Sequence, residues 1–125
     1  MNNGLREINE LIGAWGSLIC NNQGEIILSA VPPGMNKTNL EKISHQAVEM
    51  MSAAGQAVQG LSEAVLHYSE KKIFIVDLEK AILLVICTPS IDISLLRMTV
   101  NVVRANWEGD AKVQKQFQES FVERI

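Results

Sequence analysis

One uninterrupted apolar run, Ala81-Ile-Leu-Leu-Val-Ile-Cys87, which Thr88 follows, decides how this chain folds. A strand with one face in water alternates apolar and polar residues, whereas a continuous apolar run is typical of a strand covered on both faces. The run is too short to cross a bilayer as a helix, which needs about 20 residues. We therefore predict a central strand in a sheet that carries helices on both sides.

The segments before this run predict its neighbours in the sheet. Glu79-Lys80 predicts a turn back to a strand at Lys72 to Leu78, which is rich in β-branched residues. Glu70-Lys71 predicts a second turn, back to the alternating segment Glu63 to Tyr68. Tight polar connections thus join three consecutive strands in this part of the chain.

A second hairpin is predicted near the N-terminus. The strand-forming segments Ala14 to Cys20 and Glu25 to Ala30 flank Asn21-Asn22-Gln23-Gly24, whose residues tolerate positive φ. A short amphipathic helix, Leu5 to Leu11, precedes them and ends at Gly13. The strands and turns so far predict an α+β domain with five strands.

The longest helix is predicted after the Pro32-Pro33-Gly34 loop. Thr38 and Glu41 form the T-x-x-E pattern of a capping box. Adjacent methionines cannot point the same way, so we expect one of Met50 and Met51 to face a second surface. Its apolar stripe consists of Leu40, Ile43, Ala47, Met50, Met51, Ala54 and Val58.

Two helices are predicted after Pro89. The first runs from about Ile93 to Trp107, and its apolar residues cover more than one face, so it should be heavily buried. The second, Ala111 to Ile125, is an amphipathic extension beyond a domain of residues 1–109. Its narrow stripe either docks on a partner or packs on its own sheet or on a twin subunit. The stripe consists of Val113, Phe117, Phe121 and Ile125.

Composition excludes several functional classes. The chain has 125 residues, enough for one domain, and its net charge of −3 offers no electrostatic footprint for nucleic acid. There is no phosphate-binding loop, no dinucleotide motif and no Cys/His pair with zinc spacing. We expect no catalytic residue, no cofactor, no metal and no insertion into a membrane.

The cysteines and the N-terminus indicate the compartment. Cys20 and Cys87 lie in apolar segments, which favours two buried free thiols in a reducing compartment, with a disulfide or redox pair as the alternative. The first ten residues are polar and lack the apolar core of a signal peptide. A cytoplasmic protein is expected.

The two histidines are isolated from other candidate ligands. His45 falls on the polar side of the long helix, where it is either solvated or in contact with a partner. His67 shares a strand face with Glu63 and Val65, which favours packing or strand pairing over metal ligation.

These elements resemble the Roadblock/dynein light chain family between Leu5 and Glu108. The resemblance is carried by Ile12-Gly13-Ala14-Trp15-Gly16-Ser17-Leu18-Ile19 as first strand and by the Asn-Gln-Gly turn with Glu25-Ile26-Ile27-Leu28-Ser29 as second. The Ala- and Met-rich helix and the strand–Pro–helix unit from Leu83 to Val103 also match. The closing helix departs from the family, since Ile93-Ser94-Leu95 stands where members often have an Asn-Leu or Gly-Leu step. The segment from Asp110 lies outside the shared core.

The resemblance implies a profilin-like, Roadblock-type α+β fold, a five-stranded antiparallel sheet with one helix on one face and two on the other. It also implies a homodimer, made by pairing third strands edge to edge and laying the second helices side by side. The third strand has no Pro or Lys to protect an edge, and Ala53 to Ala57 permits close approach. The expected dimer interface is Leu40, Ile43, Ala47, Met50, Met51, Ala54, Glu63, Val65 and His67. The expected partner-binding residues are His45, Val113, Phe117 and Phe121.

By the same resemblance, the dimer is a non-enzymatic scaffold or regulator. Its expected partner is a small Ras-like GTPase or a subunit of a motor or membrane complex, and some members stimulate hydrolysis by their GTPase. A profilin-like sensor domain that holds a small molecule against the sheet is the alternative.

Overall fold

The computed structural model describes residues 1–123, and the predicted order of helices and strands is confirmed. The predicted boundaries are correct to within a few residues for most elements. The elements are α1 (Asn2–Asn9), β1 (Ala14–Cys20), β2 (Ile26–Ala30), α2 (Lys37–Ala57), β3 (Glu63–His67), β4 (Lys72–Asp77), β5 (Ile82–Cys87), α3 (Ile93–Glu108) and α4 (Ala111–Ser120).

The five strands form one antiparallel sheet in the order β2-β1-β5-β4-β3. The strand β5 lies in the middle, and all six of its residues are buried, which confirms the prediction made from its apolar run. The strands β2 and β3 are the two edges of the sheet.

Helices cover both faces of the sheet, so the core has two layers. Side chains alternate along β5, so Leu84 and Ile86 point toward α2 while Leu83 and Val85 point toward the other helices. The helices α1, α3 and α4 share this second layer, and α2 alone covers the first. One face of the sheet is therefore covered by α2, and the other face by α1, α3 and α4. No helix within residues 1–123 has the length and apolar character that crossing a membrane requires.

The predicted turn between β1 and β2 is confirmed, and Asn21 organises it. The Asn21 Oδ1 atom accepts hydrogen bonds from the backbone N–H groups of Gln23 (2.9 Å) and Glu25 (3.0 Å). Gly24 has a φ of +84°, and a Cβ there would lie 2.5 Å from Nδ1 of His45. The turn thus requires glycine both for its backbone conformation and for its close approach to α2.

The start of α2 differs from the prediction. Asn36 is the N-cap, and its side chain accepts a hydrogen bond of 2.8 Å from the backbone N–H of Thr38. Thr38 therefore lies inside the first turn, and the expected capping box between Thr38 and Glu41 is wrong. Asparagine is at least as good an N-cap as threonine, so the earlier residue takes the position.

The last helix is shorter than predicted. The helix α4 ends at Ser120, and Phe121 has the extended conformation φ −71°, ψ 128°. The expected continuation of the helix is therefore wrong for residues 121–123. Ile125, the last member of the predicted stripe, lies outside the described residues.

Candidate functional site: the free edge of β3 and the adjoining helix

The strand β3 presents an unpaired row of backbone polar groups. Asp77 N donates to Ser62 O (2.8 Å) and Tyr68 N donates to Lys71 O (2.9 Å), so even-numbered residues of this segment hydrogen-bond to β4. In an antiparallel pair the residues between them point their N–H and C=O groups the other way. The backbone groups of Glu63, Val65 and His67 therefore point outward at the edge of the sheet.

The side chains of these three residues lie on the face of the sheet covered by α3. Val65 packs against the core on that face. Glu63 Oε1 lies 2.6 Å from Arg97 Nη2 and accepts from Arg97 Nε at 2.7 Å. This hydrogen bond, and then the charge of the carboxylate, raises the pKa of Arg97 above its ordinary value. His67 at the end of the strand is exposed.

The helix α2 adds a flank of small and apolar side chains next to this edge. The Tyr68 hydroxyl lies 3.2 Å from Gln46 Oε1, which shows that the Gln46 side of α2 faces the end of β3. Met50, Ala53 and Ala57 follow Gln46 at helical spacing and therefore share this flank. None of these four side chains is charged, so a second helix can approach here without burying an ion.

The turn between β1 and β2, away from β3, binds the backbone of residues 120–122. Val122 N donates to Asn22 Oδ1 (2.8 Å), and Asn22 Nδ2 donates back to Val122 O (2.5 Å). Asn21 Nδ2 donates to Ser120 O (3.0 Å). Two consecutive asparagines of the β1–β2 turn thus bind the backbone at the end of α4 and just after it.

The thiols are buried on opposite layers of the core. Cys20 packs with the residues under α2, and Cys87 with those under α3. Burial raises the pKa of Cys20 from 9.0 to about 12 and that of Cys87 to about 11. Neither thiol is suited to act as a nucleophile near neutral pH, because the reactive form is the thiolate. Within residues 1–123, no three His, Cys, Asp or Glu side chains cluster as metal ligands would.

Comparison with solved structures identifies the architecture. A Roadblock/LC7 domain from Streptomyces avermitilis superposes with a TM-score of 0.74 at 10% identity, over 87% of this chain and 95% of that one. The gliding protein MglB from Thermus thermophilus superposes with a TM-score of 0.72 at 11% identity, over 94% and 88%. The chain has the Roadblock/LC7 fold. MglB from Myxococcus xanthus reaches a TM-score of 0.65 at 12% identity, over 82% and 84%.

At these identities the likeness establishes the Roadblock/LC7 fold alone. The sequence matches no model of a known protein family and no curated protein.

Four residues predicted at the dimer interface belong to the core of the single chain. Leu40, Ile43, Ala47 and Met51 pack onto the chain's own sheet and are at most 9% exposed. The prediction that these four residues contact a second subunit is therefore wrong. Helical periodicity predicts an apolar stripe, but it does not indicate whether the chain's own sheet or a second subunit covers that stripe. Met50 and Ala54 are only half-buried and keep surface for a partner. Met51 and Met50 thus face different surroundings, as expected.

Two residues predicted to bind a partner also lie in the core. Val113 and Phe117 of α4 are 3% and 2% exposed and pack in the layer of α1 and α3. Of the two alternatives predicted for the stripe, docking on a partner is therefore wrong for these two residues, and α4 packs on its own chain. Phe121 is 37% exposed, beside the β4–β5 turn and the middle of α2. His45 is exposed and lies against Gly24.

The structure also contradicts the prediction that α3 is heavily buried. Its residues Leu96, Val100, Val103 and Trp107 are buried, but its outer apolar residues are not. The exposed ones are Leu95, Met98 and Val102. The excess of apolar residues over what one sheet-facing stripe needs was the sequence signal for this surface. The tail-binding role of Asn21 and Asn22 had no such signal.

Proposed function

We propose that this chain is a non-enzymatic homodimeric scaffold or regulator. Two copies join along β3 and the adjoining flank of α2, and the resulting platform binds a small Ras-like GTPase or a subunit of a motor or membrane complex. The observation that carries the proposal is the free row of backbone groups on β3, in a chain with the Roadblock/LC7 fold. The free thiols Cys20 and Cys87 suit a cytoplasmic setting.

The register of β3 supports a symmetric pairing. Only Glu63, Val65 and His67 have outward backbone groups, so a two-fold axis beside Val65 lets all three pair with a second copy. Glu63 then stands opposite His67 of the other copy, and no like charges face each other. Such pairing removes an unprotected edge, which is otherwise a site of aggregation.

Proline at position 65 tests the pairing. Because the Val65 N–H points outward, Val65→Pro removes no hydrogen bond within the chain but one that the dimer needs. Val65→Thr retains the N–H and is the matched control. We expect sedimentation at micromolar concentration to give dimers for the wild type and for Val65→Thr and monomers for Val65→Pro, all with the same circular dichroism. A dimeric Val65→Pro variant or a monomeric wild type contradicts the proposal.

The GTPase is tested separately. Wild type and Val65→Pro are immobilised and exposed to native extract, once with a non-hydrolysable GTP analogue and once with GDP. The proposal expects a Ras-like GTPase that the wild type retains and the monomeric variant does not. A partner that is retained equally in the presence of the GTP analogue and of GDP would indicate that the chain is a structural subunit and not a GTPase regulator. The purified GTPase, with and without this chain, then shows whether hydrolysis is accelerated.

One cavity favours a second candidate function, a small-molecule sensor. A cavity of about 330 Å³ lies between the N-terminal end of α2 and the start of β1. Its walls include the apolar residues Trp15, Met35 and Leu40, with Glu70 and Lys71 also lining it. Ligand sites are commonly concave and mostly apolar with few polar groups. A saturable increase in melting temperature in a metabolite screen, abolished by Trp15→Ala, would favour this function.

A further inference from the structure

The outer face of α3 is an apolar surface that nothing in the described part of the chain, residues 1–123, covers. Leu95, Met98 and Val102 are 47%, 66% and 54% exposed. Their spacing of three and four residues aligns them along one side of the helix over two turns. The residues that α3 turns toward the sheet are a separate set, which is fully buried.

The apolar stripe carries no charge of its own, and the exposed carboxylate of Asp92, the N-cap of α3, lies at its Leu95 end. The charged residues of α3 are Arg97, Arg104 and Glu108, and helical spacing places all three on a different flank. Arg97 pairs with Glu63 on β3, and Arg104 pairs with Glu108 at 3.3 Å. The other exposed residues around the apolar stripe are uncharged: Ser94, Asn101, Ala105 and Asn106.

Pairing along β3 would leave this face open. Arg97 marks the side of α3 that faces β3, whereas the apolar stripe points away from the sheet and from that edge. A contiguous apolar patch that a folded protein leaves exposed commonly marks an interaction site. The stripe is therefore a second surface, independent of the one proposed above.

We infer that the outer face of α3 binds the same face of a second copy of this chain. In an antiparallel pair around a two-fold axis, Met98 lies next to Met98 of the other copy, and Leu95 lies opposite its Val102. The stripe is thus complementary to itself, as a symmetric interface requires.

The charge pattern selects a second copy over a different partner. A symmetric contact brings the same residues of the two copies together, so a charged residue near the two-fold axis would face an identical charge and be repelled by it. The chain carries a net charge of −3, and the uncharged stripe of α3 is where two copies meet without this repulsion. Within the stripe a charged partner would find no ionic group to orient it, and in an antiparallel pair the two Asp92 carboxylates lie at opposite ends of the contact.

The size of the face determines how tightly copies associate. The 16 residues of α3 span about 24 Å, and one pair of helices this long buries on the order of 800 Å² in total. Such an area is below that of standard stable interfaces, so the association is weak and concentration-dependent. Dimers formed through β3 would be joined by it into tetramers, and monomers into dimers.

A charge placed in the stripe tests the inference. Val102→Glu puts carboxylates at the contact, whereas Val58→Glu makes the same change at an equally exposed valine, 53% against 54%, at the end of α2. We expect sedimentation between about 10 µM and 1 mM to show that Val102→Glu weakens the higher association at least tenfold and Val58→Glu does not. Equal behaviour of the two variants overturns the inference.

Cross-linking tests the antiparallel register. Because Cys20 and Cys87 are buried, Met98→Cys provides one reactive thiol per chain. Oxidation to a disulfide should link Met98→Cys chains efficiently and Leu95→Cys chains poorly, since two copies of position 95 are offset by about 10 Å along the paired helices and a disulfide needs Cα atoms within about 7 Å. Equal linking of the two variants overturns the register. Repeating both experiments with Val65→Pro separates the surfaces, because contact through α3 then appears as a monomer–dimer equilibrium whether or not β3 pairs.

Discussion

The packing of α4 on its own chain makes a prediction about Phe117. This side chain is 2% exposed, and its ring meets Trp107 edge to face, with centroids 6.2 Å apart and planes at 89°. If α4 belongs to the core, Phe117→Ala must destabilise the whole domain. If α4 were a loosely held docking helix, the same change would affect only partner binding.

The expected loss is about 3 kcal/mol of unfolding free energy. Truncating a buried phenylalanine to alanine removes its transfer energy and leaves a cavity, which together cost roughly 3–5 kcal/mol. The edge-to-face contact with Trp107 contributes about 0.5–1.5 kcal/mol of this. We take the lower end because Phe117 lies on the last helix, near the margin of the core, where neighbours can relax into the space.

Phe121 provides a matched control on the same predicted stripe. It is 37% exposed and lies beyond the end of α4, so Phe121→Ala should cost only about 1 kcal/mol. Urea unfolding of all three proteins, followed by far-ultraviolet circular dichroism at one protein concentration, gives the differences. Equal losses for the two variants, or a loss below about 1 kcal/mol for Phe117→Ala, would refute the packing argument.

The remaining predictions concern turns and a thiol. Gly24→Ala should lower the unfolding free energy by more than about 1 kcal/mol, because its φ is +84° and the new Cβ meets His45, whereas Gly34→Ala, with nothing within 4 Å, should be neutral in the same urea titration. Glu79→Gly should raise the melting temperature, since Glu79 has a φ of +74° that costs a non-glycine residue about 1 kcal/mol. The folded Cys20 thiol keeps its proton to about pH 12 while the unfolded one loses it near 9.0, so stability should fall as pH rises above 9, and Cys20→Ala should flatten that decline.

Local sequence patterns predicted the elements well because their causes are local. The apolar run of β5 predicted its central position, and the Asn-rich turn predicted the first hairpin, since both depend on residues adjacent in the chain. The capping of α2 was missed for an equally local reason, as Asn36 competes with Thr38 for the same position.

The candidate interface was only half predictable. The sequence indicated an unprotected third strand, and Glu63, Val65 and His67 are the residues with outward backbone groups. The sequence could not indicate which residues of the α2 stripe face the chain's own sheet. A periodic apolar stripe has the same pattern whether a sheet or a second subunit covers it. Met50 and Ala54 remain available because the chain's own core leaves them only half-buried.

By itself, the sequence determined the order of elements and the central strand, both of which depend on composition and short-range periodicity. Only the tertiary structure decided that α4 packs on its own chain, that two asparagines bind the backbone at the end of α4, and that residues 1–123 leave the outer apolar stripe of α3 uncovered. Burial is a relation between segments far apart in the chain. The sequence shows that an apolar side chain favours burial, but only the fold determines whether its own chain buries it or leaves it exposed to another chain.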